Sequence, residues 1–110
     1  ACSITGVPGG AIKNIVISDV ILVTDAEVAK TDIDLKVPEA IDKYPENRMF
    51  GTILPASGFY VRHVNGIAFN NIKMTTTNKD ERPMFHLNDV KNFTQQGCTL
   101  NNAKVTLKKE

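Results

Sequence analysis

Arg62 and His63 are adjacent in the run Phe59-Tyr60-Val61-Arg62-His63-Val64. A planar guanidinium matches both oxygens of a carboxylate, so Arg62 is a candidate for holding an acidic ligand. Tyr60 falls on the same side of an extended chain. His63 specifies less, because neither a partner carboxylate nor a nucleophile stands beside it in the sequence. A second group, Tyr44, Glu46 and Arg48, lies in a proline-containing stretch. An aromatic face there can stack on a ligand ring while the neighbouring charges select an acidic one. The competing reading is structural: Tyr44-Pro45 and Met49-Phe50 pin a loop, and Arg62 belongs to a solvated outward face. Tyr44, Arg48, Tyr60, Arg62 and His63 are therefore the candidate ligand-contacting residues.

Other titratable residues point to less. Asp32 and Asp34 alternate on one strand face, and Asp80-Glu81 form an acidic pair. Paired carboxylates can do acid–base work, but here Lys30, Lys36, Lys79 and Arg82 flank them, as on an ordinary solvated surface. No catalytic residue is assigned. His86 has no Cys or His at ligand spacing, so no metal site is indicated. Asn92-Phe93-Thr94 is formally a glycosylation sequon but lies inside a repeat, and it carries little weight.

The elements that position these residues come from an internal repeat. Ile12-Lys13-Asn14-Ile15-Val16-Ile17-Ser18-Asp19-Val20-Ile21-Leu22 aligns with the stretches beginning at Val64 and at Val90. Columns Ile12/Val64/Val90, Ile15/Ile67/Phe93, Ile17/Phe69/Gln95, Val20/Ile72/Cys98 and Leu22/Met74/Leu100 are mainly apolar. Alternate apolar positions are the strand period, and the β-branched runs disfavour helix. A polar step at Ser18-Asp19, Asn70-Asn71 and Gln96-Gly97 suits a tight bend, since these residues tolerate left-handed backbone. A preceding strand, Phe59–Val64, aligns with Phe85–Val90, and Ser3-Ile4-Thr5 is its counterpart in the first copy, followed by an altered turn at Gly6-Val7-Pro8-Gly9-Gly10. A period in the twenties built from short strands and bends predicts coils of a parallel β-helix. The segment from about 24 to 57 breaks the period and reads as one long inserted loop, with a short helix possible over Val37–Tyr44. The stacked Asn14/Asn92 and Asn70-Asn71 positions read as polar groups satisfying backbone from coil to coil.

Composition narrows the partners. The chain has 110 residues, enough for one domain, and 42% are apolar. Its net charge is +1 and its 13 basic residues are scattered, so nucleic acid is not an expected partner. No apolar run reaches the length of a membrane span. Cys98 falls in an inward column and Cys2 in the first coil. Coils are about 4.8 Å apart, so two or three of them exceed disulfide reach, and two free thiols are expected.

Three stretches carry a resemblance. They are Val37-Pro38-Glu39-Ala40-Ile41-Asp42-Lys43-Tyr44-Pro45-Glu46-Asn47-Arg48-Met49-Phe50-Gly51, then Leu54-Pro55-Ala56-Ser57-Gly58-Phe59-Tyr60-Val61-Arg62-His63, and Asp80-Glu81-Arg82-Pro83-Met84-Phe85-His86-Leu87-Asn88-Asp89-Val90. Together they resemble the C-terminal coils of glycoside hydrolase family 28, the polygalacturonases and related pectin-cleaving enzymes. The likeness runs from about Ser3 to Val90. It implies an all-β, right-handed, single-stranded parallel β-helix of the pectin-lyase-like type, with residues 1–110 supplying about three to four coils of a larger solenoid. It implies a secreted or periplasmic enzyme that acts on pectic polysaccharide or oligogalacturonide by inverting hydrolysis, without cofactor. The family's signatures Asn-Thr-Asp, Asp-Asp, Gly-His-Gly and Arg-Ile-Lys are absent from this sequence. Ala11-Ile12-Lys13 echoes the last without its Arg and reads as structural. The chain is thus expected to be a tail without the active centre, inactive by itself. Isolated, it is expected to self-associate through its uncapped strand edges. The alternative is a non-catalytic carbohydrate-binding or structural β-helix module, using the Tyr44–Arg48 loop and the Tyr60/Arg62 face. A β-helix lyase would need a carboxylate cluster for Ca²⁺, and none is evident.

Overall fold

A computed structural model describes residues 2–29 and 54–110, and every element among them is a strand. The strands are β1 (Cys2–Thr5), β2 (Ile12–Thr24), β3 (Phe59–Thr76), β4 (Phe85–Gln96), β5 (Thr99–Leu100) and β6 (Leu107–Lys109). They form one six-stranded sheet in which every named pairing is parallel. β3 is its centre. β1 and β2 lie end to end along one side of β3, and β4 and β5 lie end to end along the other, with β6 beyond β4. The expected short helix over Val37–Tyr44 and most of the inserted loop lie outside the described residues.

The register reproduces the sequence repeat. Ile12 pairs with Val64, Ile15 with Ile67, Val20 with Ile72 and Leu22 with Met74. On the other side Val64 pairs with Val90 and Ile67 with Phe93. Ser3-Ile4-Thr5 pairs with Tyr60-Val61-Arg62, so the first row does contain the counterpart of the Phe59 strand. The correspondence with the second row also runs on past Thr24: Val28 bridges Asp80, with Val28 N donating to Lys79 O.

Strands this long stay in one sheet only because they bend together. Asp19, Asn71 and Gly97 share one transverse position and have φ of 58°, 55° and 68°. Asn14, Gly66 and Asn92 share another, at 58°, 92° and 55°. Left-handed backbone costs least for Gly and for Asn or Asp. At Gly66 space is also tight, since a Cβ would come 3.0 Å from Asn14 Oδ1. The bends are tied across rows by side chains: Asn71 Nδ2 donates to Asp19 Oδ1 at 2.9 Å, and Asn92 Nδ2 donates to Asn65 Oδ1 at 2.8 Å. These bonds run from side chain to side chain, whereas the sequence reading expected the stacked Asn residues to satisfy backbone groups.

The core lies along the central row. Val64, Ile67, Phe69, Ile72 and Met74 are buried, whereas their column mates Ile15, Ile17, Val20 and Leu22 in the first row are half-buried. A row with neighbours on both sides loses more apolar surface to contact than a row at the edge. Phe59 and Phe85 stack with centroids 5.6 Å apart, and Phe69 is tilted against both at 4.7 and 4.8 Å. Val16, Ile21 and Val23 point away from this core and are exposed. Cys98 is buried, Cys2 is exposed, and both are free thiols.

Phe69→Ala opens a cavity within the aromatic cluster and is expected to cost about 3–5 kcal/mol. Val16→Ala, at 68% exposure, stays within about 0.5 kcal/mol of the parent. Urea denaturation of the two variants measures the difference. Equal midpoints would mean that the core is not where the register puts it.

Candidate functional site

The best-formed cleft sits where the first row leaves the ladder. Thr5 pairs with Arg62 and Ile12 with Val64, so the six residues Gly6–Ala11 lie opposite His63 alone. The chain leaves β1 against β3, with Gly6 N donating to Arg62 O at 2.8 Å. Only Gly fits there, because a Cβ would fall 2.5 Å from His63 O. Val7-Pro8-Gly9-Gly10 then closes on itself through Gly10 N to Val7 O at 2.9 Å. Pro second and Gly third, with Gly9 at φ 75°, match a type II turn. This small loop walls a cleft of about 270 Å³, lined by Val7, Gly9 and Ala11 on one side, by His63, Val64 and Asn65 below, and by Lys13, Asp89 and Lys91.

His63 and Asp89 occupy equivalent positions in adjacent rows, 26 residues apart, and His63 Nδ1 lies 2.7 Å from Asp89 Oδ2. Both have φ of 53°, so this is a third transverse bend, shared by β3 and β4. The expectation of a histidine without a carboxylate partner is therefore corrected. Adjacency in sequence hid the partner, because neighbours in a parallel stack are one period apart. A carboxylate only accepts, so Nδ1 carries the proton and donates to Asp89. His63 is enclosed (9% side-chain exposure) while Asp89 remains open to solvent at 57%. The ring is thus fixed, and the carboxylate can still accept from a ligand.

Lys13 pairs in register with Asn65, and Asn65 with Lys91, so the two lysines flank the amide in one transverse line. Both are exposed, and neither has an ion-pair partner among the described residues. Asn65 Oδ1 accepts from Asn92, which leaves the Asn65 amide nitrogen as a donor. The sequence reading proposes none of Lys13, Asn65, Asp89 and Lys91 as a ligand contact, and it takes Lys13, in Ala11-Ile12-Lys13, as structural. The signal that finds Asp89 is the repeat itself, applied to His63.

Tyr60 and Arg62 do not form a solvated face. They are 1% and 6% exposed, and the Arg62 guanidinium lies 5.6 Å from the centroid of the Tyr60 ring. His86 is one row over from Tyr60, its ring 5.5 Å away, also buried. His86 Nε2 lies 3.5 Å from Glu110 Oε2, and Asn88 Nδ2 donates to the same oxygen at 2.8 Å. The structure thus gathers Tyr60, Arg62 and His86 into a buried polar group and sets His63 apart in the cleft. Tyr44 and Arg48, like Glu46, Asp32 and Asp34, lie outside the described residues.

The acidic pair Asp80-Glu81 divides in two. Glu81 makes a partly exposed contact with Lys79 at 3.3 Å, as a solvated surface would. Asp80 does not fit that reading, because its side chain is fully enclosed and paired with Arg82. Arg82 Nε and Nη2 donate to its two oxygens at 2.9 and 2.7 Å, and Nη1 donates to Leu54 O at 3.0 Å. Burial pushes the Asp80 carboxyl up, but the hydrogen bonds and charge of Arg82 outweigh it and hold the group below its ordinary value. This pair ties the chain at Leu54 to the turn before β4. Among the described residues no group of three His, Cys, Asp or Glu is placed to hold a metal ion, and no helix is long and apolar enough to cross a membrane.

No family model, curated protein or solved structure matches the chain.

Two measurements check this geometry. Long-range proton–nitrogen NMR should show the His63 proton on Nδ1 in the neutral ring, and Asp89→Asn should lose that preference. A proton on Nε2 in the parent would contradict the pairing. For the buried pair, Arg82→Ala strands a carboxylate and is expected to cost about 3–5 kcal/mol at neutral pH. Because the Asp80 carboxyl is depressed on folding, its contribution is full above the unfolded value of about 3.9 and is lost as pH falls through the lower folded value. Urea midpoints taken down through that acid range should therefore fall more steeply for the parent than for Arg82→Ala.

Proposed function

We propose that this chain is the C-terminal part of a right-handed, single-stranded parallel β-helix, resembling family 28 glycoside hydrolases, in an enzyme that acts on pectic polysaccharide. The observation that carries the reading is the register. Each copy of the repeat lies directly beside the next in a parallel sheet, and the rows bend at shared transverse positions. That is the arrangement a coil-by-coil stack requires. The family resemblance adds the chemistry: inverting hydrolysis of galacturonosyl linkages by carboxylates that the rest of such an enzyme would supply, without cofactor. It also carries the secreted or periplasmic location.

In this reading the chain extends the solenoid and shapes one edge of the substrate cleft. Tyr60 and Arg62 support that edge from beneath, and the ring of His63, also buried, lines the cleft. Tyr44 and Arg48 belong to the insertion that would wall the cleft. A non-catalytic sugar-binding module is the competing reading. It is favoured by the cleft at the His63 bend, where the one lining carboxylate among the described residues, Asp89, is already engaged by a histidine. Such a pair suits binding better than the two separated carboxylates of inverting hydrolysis.

The product of the natural gene decides between them. Its intact mass should be several times that of this chain, and it should release reducing ends from polygalacturonate. A mass equal to this chain, with pectic oligosaccharides bound but not cleaved, would replace the hydrolase reading with the binding module.

A further inference from the structure

The two ends of the sheet are finished differently. On the last row β6 occupies the outer edge of β4 at residues 85–87, and the core column Ile17/Phe69 ends in an exposed Gln95. The first row carries no such stop. β2 pairs with β3 alone among the described residues, and Ile12–Thr24 contains no Pro and only two charges, Lys13 and Asp19. Free edges are ordinarily blunted by Pro, charge or a covering segment, so β2 is an edge left ready for another strand. Its core side chains Ile15, Ile17, Val20 and Leu22 are half-buried, and Val16, Ile21 and Val23 on the opposite face are exposed.

The bends select what can pair there. Asn14 and Asp19 are five positions apart, as are Gly66 and Asn71 in β3, all with left-handed backbone. Neighbouring strands must bend together and must also put their apolar residues on one face. A second copy of β2, antiparallel with its bends in step, sets Ile15 against Ser18 and Ile17 against Val16. Each pair then joins a core residue to an outward one. Moving the register by one residue restores the faces but sets Asn14 against Ser18, and the bends no longer meet. Two β2 edges paired parallel would put their cores on opposite faces of the sheet. A head-to-tail copy fails too, because β6 holds the place on β4 that β1 would need.

We propose that the β2 edge rejects copies of itself and docks one parallel strand of a preceding coil, with Asn, Asp or Gly at two positions five apart. Apolar residues stand one and three places after each, as Ile67, Phe69, Ile72 and Met74 do in β3. Such a strand continues the ladder, buries the half-buried core residues of the first row and flanks Val16, Ile21 and Val23 on the outer face. The inference rests on the coil-stacking part of the proposed function and on none of its carbohydrate chemistry.

The test titrates the full chain with a labelled synthetic peptide of residues 65–76, which carries this pattern from β3. Fluorescence anisotropy should show saturable binding, and hydrogen exchange should slow at the amides of β2. Gly66→Val together with Asn71→Val in the peptide, which disfavours both left-handed positions, should weaken binding at least roughly tenfold. One Ala inserted between the two bends makes their spacing six and should weaken binding roughly as much. Both changes lie in the peptide, so the fold of the chain is untouched. Binding indifferent to both changes, or protection that falls on β4 instead, overturns the selection rule. Absence of binding overturns the docking site. A dimer of the chain in sedimentation that the peptide dissolves overturns the exclusion of self-pairing. The proposed enzyme stands or falls separately, on the mass and activity of the natural gene product.

Discussion

A parallel stack of bent strands has one demanding requirement: every row must turn where its neighbour turns. If one row bent a residue early, the ladder of backbone hydrogen bonds would break and the apolar columns beyond would swing to the wrong face. The chain meets this by placing Asn, Asp or Gly with left-handed backbone at matching positions, Asp19/Asn71/Gly97 and Asn14/Gly66/Asn92. Everything else depends on that match. The phenylalanine cluster forms because Phe59, Phe69 and Phe85 are brought round onto one side. The Asn71–Asp19 and Asn92–Asn65 bonds form because the bends coincide.

The same constraint creates the cleft. At the third bend β3 and β4 turn together at His63 and Asp89, but the first row does not follow. It leaves at Gly6, makes a Pro-Gly turn and returns in step at Ile12. A stack broken at one corner exposes the side chains that a regular corner would cover, and here these include a histidine and a carboxylate. Chemistry thus gathers where the regularity lapses, while the bends that stay in step are tied by amide-to-carboxylate and amide-to-amide pairs.

Two buried polar groups fix how segments of the chain meet. Asp80 is enclosed because Arg82 satisfies both its oxygens, and Arg82 in turn reaches Leu54 O. Tyr60 and Arg62 lie face to cation, with His86 in the next row. For Asp80 the partners on Arg82 replace the lost hydration, and together these clusters link the segments around residues 54–62 and 80–88.

By itself the sequence determined the strand period, the matched columns and the bends, because in a parallel stack a residue's lateral neighbour lies a fixed number of positions along the chain. The His63–Asp89 pair was legible by the same rule, although neither residue's immediate neighbours reveal it. What only the tertiary structure decided was burial. Alternation assigns Tyr60 and Arg62 to an outward face, and flanking charges assign Asp80 to a solvated one, yet all three side chains are enclosed. Alternation records which side of a strand a residue takes, and whether that side meets solvent depends on which other parts of the chain pack against it. The cleft needed the structure for the same reason: Lys13, Asn65 and Lys91 meet only once three rows are side by side, and no local pattern marks a lysine for that role.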